Sequence, residues 1–130
     1  MTDTPGRVLV VEDDPNLREI LEEVLCDDGH EVRLAANGAE GLRSLQAWDA
    51  DVVILDLMMP GIGSDEFRAR QRQLGAVPAR LLVLSASHER EAAAGRLDAD
   101  ALLAKPFSLA SLTETVHQLV QRRPDPTDRR

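Results

Sequence analysis

The chain has 130 residues, of which 43% are apolar and 29% charged, which suits one soluble domain with its own core. Its formal net charge of −8 argues against a general nucleic-acid or membrane surface on this domain. No apolar run approaches the roughly 20 residues that span a bilayer, residues 1–7 lack the apolar centre of a signal peptide, and the single cysteine, Cys26, has no internal disulfide partner, so a reducing, cytoplasmic setting is the default.

The elements follow in chain order. "RVLVVE" (7–12) is short, β-branched and apolar on both faces, as a strand covered on both sides of a parallel sheet requires. In "DDPNLREILEEVLCDDG", Asp14 is placed to cap a helix with Pro15 at its first position, and Gly29 to end it. Leu17, Ile20, Leu21, Val24 and Leu25 form its apolar stripe, and Cys26 beside that stripe reads as core filler. "EVRLA" (31–35) is a second strand, and "GAEGLRSLQAW" a second helix weakened by its internal glycine. "DVVILD" (51–56) is a third strand, "SDEFRARQRQLG" a third helix and "ARLLVLS" (79–85) a fourth strand. "HEREAAAGR" is a short fourth helix, "DALLA" (100–104) a fifth strand, and "SLASLTETVHQLVQRR" a fifth helix with Leu109, Leu112, Val116, Leu119 and Val120 on one stripe. The tail "PDPTDRR" has little to bury and reads as a frayed end or linker. Strands alternating with helices imply an α/β doubly wound fold: a five-stranded parallel sheet with helices on both faces and right-handed crossovers.

Functional groups of open parallel sheets collect at the carboxyl ends of the strands. Here the first strand ends in Glu12-Asp13, the third in Asp56 and the fourth in Ser85, while the fifth leads into Lys105-Pro106, which holds the only lysine of the chain. Three clustered carboxylates cannot all ionise cheaply unless a cation joins them, and oxygen ligands with room for water suit Mg²⁺. A carboxylate that can act as nucleophile, a metal, a lysine and a hydroxyl donor are the parts of phosphoryl transfer.

The pieces "VLVVEDDPNLRE", "VVILDLMMPG", "LLVLSA" and "LLAKPFSL", in this order and at these separations, resemble the receiver domains of bacterial two-component response regulators. The resemblance implies the CheY-like sheet order 2-1-3-4-5, a receiver domain over residues 1–123 and a flexible tail over 124–130. It implies Asp56 as phospho-acceptor and Glu12, Asp13, Asp56 and the main-chain carbonyl of Met58 as Mg²⁺ ligands. It further implies Ser85 as the hydroxyl that closes on the phosphoryl group, Lys105 as its pairing cation, and a cis Lys105-Pro106 bond. The expected partners are a histidine kinase or histidine phosphotransfer protein as donor and an output domain or partner protein, with a homodimer open and neither membrane nor direct nucleic-acid contact by this domain. Such a chain is not a conventional enzyme, although it assists its own phosphorylation and dephosphorylation.

Other readings carry less of the pattern. A phosphorylation-independent interaction module with the same fold is the main competing class, but its sign would be a lost site residue. An aspartyl-phosphate hydrolase wants a second acid two residues after the nucleophile, where this chain has Met58, and a dinucleotide site wants glycines where it has "EDDPNL". Asp14 is explained by capping, and His30, His88 and His117 are not at metal-ligand spacing. Three departures from the family pattern stand out. Leu102 replaces the usual aromatic three residues before the lysine; the Ser85–Lys105 interval is two residues short, implying a short or irregular fourth helix; and "PGIG" reads as a one-residue deletion that keeps Gly63. The chemistry is expected to be intact and the output face altered.

Overall fold

A computed structural model describes residues 5–57, 61, 63–74, 79–85 and 97–121. Five strands form one parallel sheet: β1 (Arg7–Val11), β2 (Glu31–Ala35), β3 (Val52–Asp56), β4 (Arg80–Ser85) and β5 (Ala101–Ala104), in the order β2-β1-β3-β4-β5. Four helices are described: α1 (Pro15–Asp27), α2 (Gly38–Ala47), α3 (Ser64–Arg72) and α4 (Leu109–Gln121). The fourth helix expected from "HEREAAAGR" lies outside the described residues, as does the tail.

Alternation along each strand splits the core into two layers, because successive side chains point to opposite faces. Val8, Val10, Val52, Ile54, Leu82 and Leu84 meet Leu21 and Leu25 of α1 and Leu112, Val116 and Leu119 of α4. Leu9, Val11, Val53, Leu55, Leu81 and Val83 meet Leu42 of α2, Phe67 of α3, Trp48 and Leu97. This double covering is why the central strands read as unbroken apolar runs.

The caps are local. Asp14 Oδ1 accepts from the Asn16 N–H at 2.9 Å, with Pro15 at the first position of α1. Gly29 leaves the helix with φ 93°, a conformation that favours glycine, and its N–H reaches the Cys26 carbonyl. Asn37 caps α2 by accepting from the Glu40 N–H, while Glu40 Oε1 accepts from the Ala36 N–H, a reciprocal pairing close to a capping box. The glycine that weakens α2 on propensity has a packing reason: a Cβ on Gly41 would stand 3.0 Å from Val11 Cγ2 and 3.1 Å from Phe67 Cε2. The helix approaches β1 and α3 so closely that an added Cβ would require Val11 or Phe67 to give by a few tenths of an ångström.

Three side chains correct the sequence reading, among them Leu109, placed on the apolar stripe of α4 but 41% exposed at the start of that helix. Cys26 is exposed rather than core filler, because it falls just past Leu25 on the far side of the helix from the sheet. Ile20, placed on the apolar stripe of α1, is 43% exposed, at the solvent margin of that stripe. Among the described residues, no helix is long and apolar enough to cross a membrane.

Candidate functional site

The sheet register assembles the site. Val11 lies opposite Leu55, so Glu12 and Asp56, the next residue on each chain, emerge side by side at the carboxyl edge. Ser85 ends β4 opposite Ala104 of β5, which places Lys105 one residue further on. The Lys105 N–H donates to the Ser85 carbonyl at 2.9 Å, and the Lys105-Pro106 peptide is cis. Ser85 is fully buried and Asp56 nearly so.

Carboxylate oxygens of Glu12, Asp13 and Asp56 lie within 4.8 Å of one another, the one such group of three potential metal ligands among the described residues. Asp13 is exposed, whereas Glu12 is 1% exposed. The Glu12 N–H continues the sheet ladder to the Ala35 carbonyl, and Glu12 Oε2 accepts from the Asp14 N–H at 3.1 Å. Its other oxygen, Oε1, is buried without a hydrogen-bond partner. Lys105 Nζ stands 2.5 Å from Asp56 Oδ2.

Electrostatics follow from this crowding. Burial is the main force pushing the Glu12 carboxyl up to about 8, and the adjacent Asp56 pushes the same way. The Asp14 N–H and the Lys105 charge pull it back only in part. A buried carboxylate with one orphaned oxygen, beside two further carboxylates, is a donor set that fits a hard divalent cation.

Of the residues singled out from sequence, Glu12, Asp13, Asp56, Ser85 and Lys105 therefore converge on one edge. Met58 lies outside the described residues. His30 is buried at the opposite edge, where Nδ1 accepts from the Gly6 N–H at 3.0 Å, a structural role. His88 is outside the described residues.

A family profile described as the response regulator receiver domain matches residues 8–117. The chain belongs to this family. The receiver chain is 38% identical over 121 residues to the transcriptional regulatory protein PrrA of Mycobacterium tuberculosis, covering 92% of this chain and 52% of that protein. It is 36% identical over 122 residues to the transcriptional regulatory protein TcrA of the same organism, covering 92% of this chain and 48% of that one. It thus spans about half the length of these relatives. Among solved structures, a Francisella response regulator receiver domain superposes with a TM-score of 0.80 at 27% identity, covering 90% of this chain and 98% of that one. The response regulator TrrA of Thermotoga maritima, in complex with Mg²⁺ and BeF, gives 0.77 at 35% identity, covering 92% and 99%.

One residue near this receiver site was not singled out from sequence. Arg18, in the first turns of α1, donates from Nη1 to the Glu12 carbonyl at 2.8 Å. A signal for it existed: Arg18 follows the cap residue Asp14 by four, and helical side chains lean back toward the N-terminus, which lays Arg18 over the β1–α1 loop.

Proposed function

We propose that this receiver domain takes a phosphoryl group from a phosphohistidine onto Asp56, and that the resulting acyl phosphate shifts a conformational equilibrium read by an output domain or partner protein. The donor is a histidine kinase or histidine phosphotransfer protein, and the setting is the cytoplasm. The observation that carries the reading is Asp56 itself: a buried carboxylate at a strand end, paired with Lys105 and grouped with Glu12 and Asp13.

In this reading a carboxylate oxygen of Asp56 attacks phosphorus as the P–N bond breaks, and the electron pair of that bond stays with the departing imidazole nitrogen, which takes a proton. Lys105 follows the developing charge on the phosphoryl oxygens, and the Ser85 hydroxyl closes on one of them. Glu12, Asp13, Asp56 and the main-chain carbonyl of Met58 would hold Mg²⁺, which when bound neutralises carboxylate and phosphoryl charge together. The complex of TrrA with Mg²⁺ and BeF supports this assignment by analogy, as does the buried, unpartnered oxygen of Glu12.

The names of PrrA and TcrA support a transcriptional output supplied by a further domain or by a partner; the proposed receiver unit runs to residue 123, a little past the family match over 8–117. Leu102 lies on β5, half-buried against the second core layer. It can repack when Ser85 moves, but it offers neither ring nor hydroxyl to a partner, so the output surface is read differently here.

Asp56→Asn preserves shape while removing the nucleophile. After incubation with acetyl phosphate and Mg²⁺, intact-mass measurement should show acid-labile phosphate on the parent and none on the variant. Equal phosphate on both would overturn the assignment.

A further inference from the structure

The β1–α1 loop carries two of the three clustered carboxylates, so whatever holds this loop sets where they point. Its groups are largely committed: the Glu12 N–H to Ala35, Glu12 Oε2 to the Asp14 N–H, and Asp14 Oδ1 to the Asn16 N–H. The Glu12 carbonyl lies past the end of β1, and Arg18 takes it, with Nη1 at 2.8 Å. The same nitrogen approaches the Asp13 carbonyl at 3.5 Å, a weaker contact. Arg18 is half-buried, and its main chain is fixed in the first turn of α1, where its backbone N–H donates to the Asp14 carbonyl at 2.9 Å.

We propose that Arg18 is a positioning residue that holds the main chain of Glu12 and Asp13 so that their carboxylates converge for a divalent cation. The proposal rests on the phospho-acceptor reading above. A guanidinium beside an acidic cluster would ordinarily be expected to oppose cation binding, because like charges repel. Arg18, however, directs Nη1 to main-chain carbonyls rather than to the carboxylates, which leaves the carboxylates for the metal. The two effects have opposite signs, and this makes the role measurable.

The experiment is an Mg²⁺ titration of the whole chain by amide NMR, following Glu12, Asp13 and Asp56, with parent, Arg18→Met and Arg18→Lys. Arg18→Met should weaken Mg²⁺ binding by about tenfold, as loss of an outer-shell partner commonly does. Arg18→Lys, which keeps the charge and one reaching donor, should fall between parent and Arg18→Met. If Arg18 acts only as a charge, Arg18→Met would bind Mg²⁺ more tightly and Arg18→Lys would match the parent; either result overturns the proposal. Phosphorylation by acetyl phosphate should show the loss in the apparent Mg²⁺ constant, with the maximal rate affected far less. A loss confined to the maximal rate would instead place Arg18 on the incoming phosphoryl group and overturn the positioning role. A parent that binds no Mg²⁺ would overturn the metal site and this proposal together, whereas a parent that binds beside an unchanged Arg18→Met would overturn only the latter. Amide dispersion and the thermal midpoint of each variant without metal separate these effects from misfolding.

Discussion

Lys105 Nζ and Asp56 Oδ2 stand 2.5 Å apart although 49 residues separate them in sequence. Asp56 is nearly fully buried while the Lys105 side chain keeps 26% of its surface exposed, so the lysine reaches from the rim to a carboxylate almost withdrawn from solvent. This cation offsets part of the repulsion among Glu12, Asp13 and Asp56.

Lys105→Met should therefore destabilise the metal-free protein by about 1–3 kcal/mol, below the full cost of breaking a wholly buried pair because the lysine is partly solvated. Urea denaturation without Mg²⁺ measures it, and parent-like stability would show that the pair contributes little. Lys105→Arg should accept phosphate yet respond weakly, since a planar fork aims differently from an ammonium. Beryllofluoride-induced amide shifts at Ser85 that match the parent's would contradict this.

Arg68, unlike the partly solvated Lys105, is a buried cation, and its hydrogen bonds lie outside the carboxylate cluster. From α3 its Nε donates to the Leu97 carbonyl and its Nη2 to the Asp98 carbonyl, both at 2.9 Å, and its Nη1 to Gln71 Oε1. Gln71 in turn donates to the Ala79 carbonyl. Arg68→Met should cost about 2–4 kcal/mol, because two carbonyls and an amide lose their donor in a buried place. Arg72→Met, which removes the exposed pair with Asp98, should cost under about 1 kcal/mol. Similar losses for the two variants would contradict the network.

The general frame was legible because binary pattern, caps and turn residues agree along the chain. Asp14-Pro15 and Gly29 bracket α1 as chemistry requires, and apolar runs ending in Glu12, Asp56 and Ser85 announced a site at the strand ends. Contacts between groups distant in sequence were not legible. Arg68 sits on a helix of low apolar content, and its partners are main-chain carbonyls 29 and 30 residues on, which no residue pattern encodes. Cys26 was misplaced because a stripe five positions wide does not say where its solvent margin falls. Gly41 looked like a weak point of α2 until its close neighbours, Val11 and Phe67, came from other elements.

His30 supplies a pH dependence. Its Nδ1 accepts from the Gly6 N–H, so the ring is held neutral. Burial lowers its pKa from 6.5, and His117 pushes the same way, while Asp28 and Asp51 oppose the shift. A lowered folded-state pKa means that the unfolded chain takes up the proton first as pH falls. The stabilisation is therefore present above about 6.5 and is lost progressively below it. His30→Asn should show a smaller drop in stability than the parent between neutral and mildly acidic pH. An equal or larger drop would place the titrating group elsewhere.

Trp48 is a poor reporter of the site. It lies at the opening of β3 in the second core layer, with the Arg33 guanidinium 4.8 Å and that of Arg7 5.7 Å from its ring centre. Val52 to Asp56 covers roughly 13 Å of strand at about 3.3 Å per residue, so the indole and the carboxylate cluster occupy opposite edges. Tryptophan emission should change little on adding Mg²⁺ and then beryllofluoride, while amide signals of Asp13 and Asp56 shift. Strong quenching that saturates with those amides would contradict the placement.

The most direct test of the central claim locates the phosphate itself. Borohydride reduces an acyl phosphate to an alcohol, so a phosphorylated aspartate becomes homoserine and marks its own position. The chain, incubated with acetyl phosphate and Mg²⁺, reduced and fragmented for mass spectrometry, should carry homoserine at position 56 and at no other aspartate. Homoserine at position 13, a reduced Glu12, or no reduced residue beside persistent acid-labile phosphate would contradict Asp56 as the acceptor.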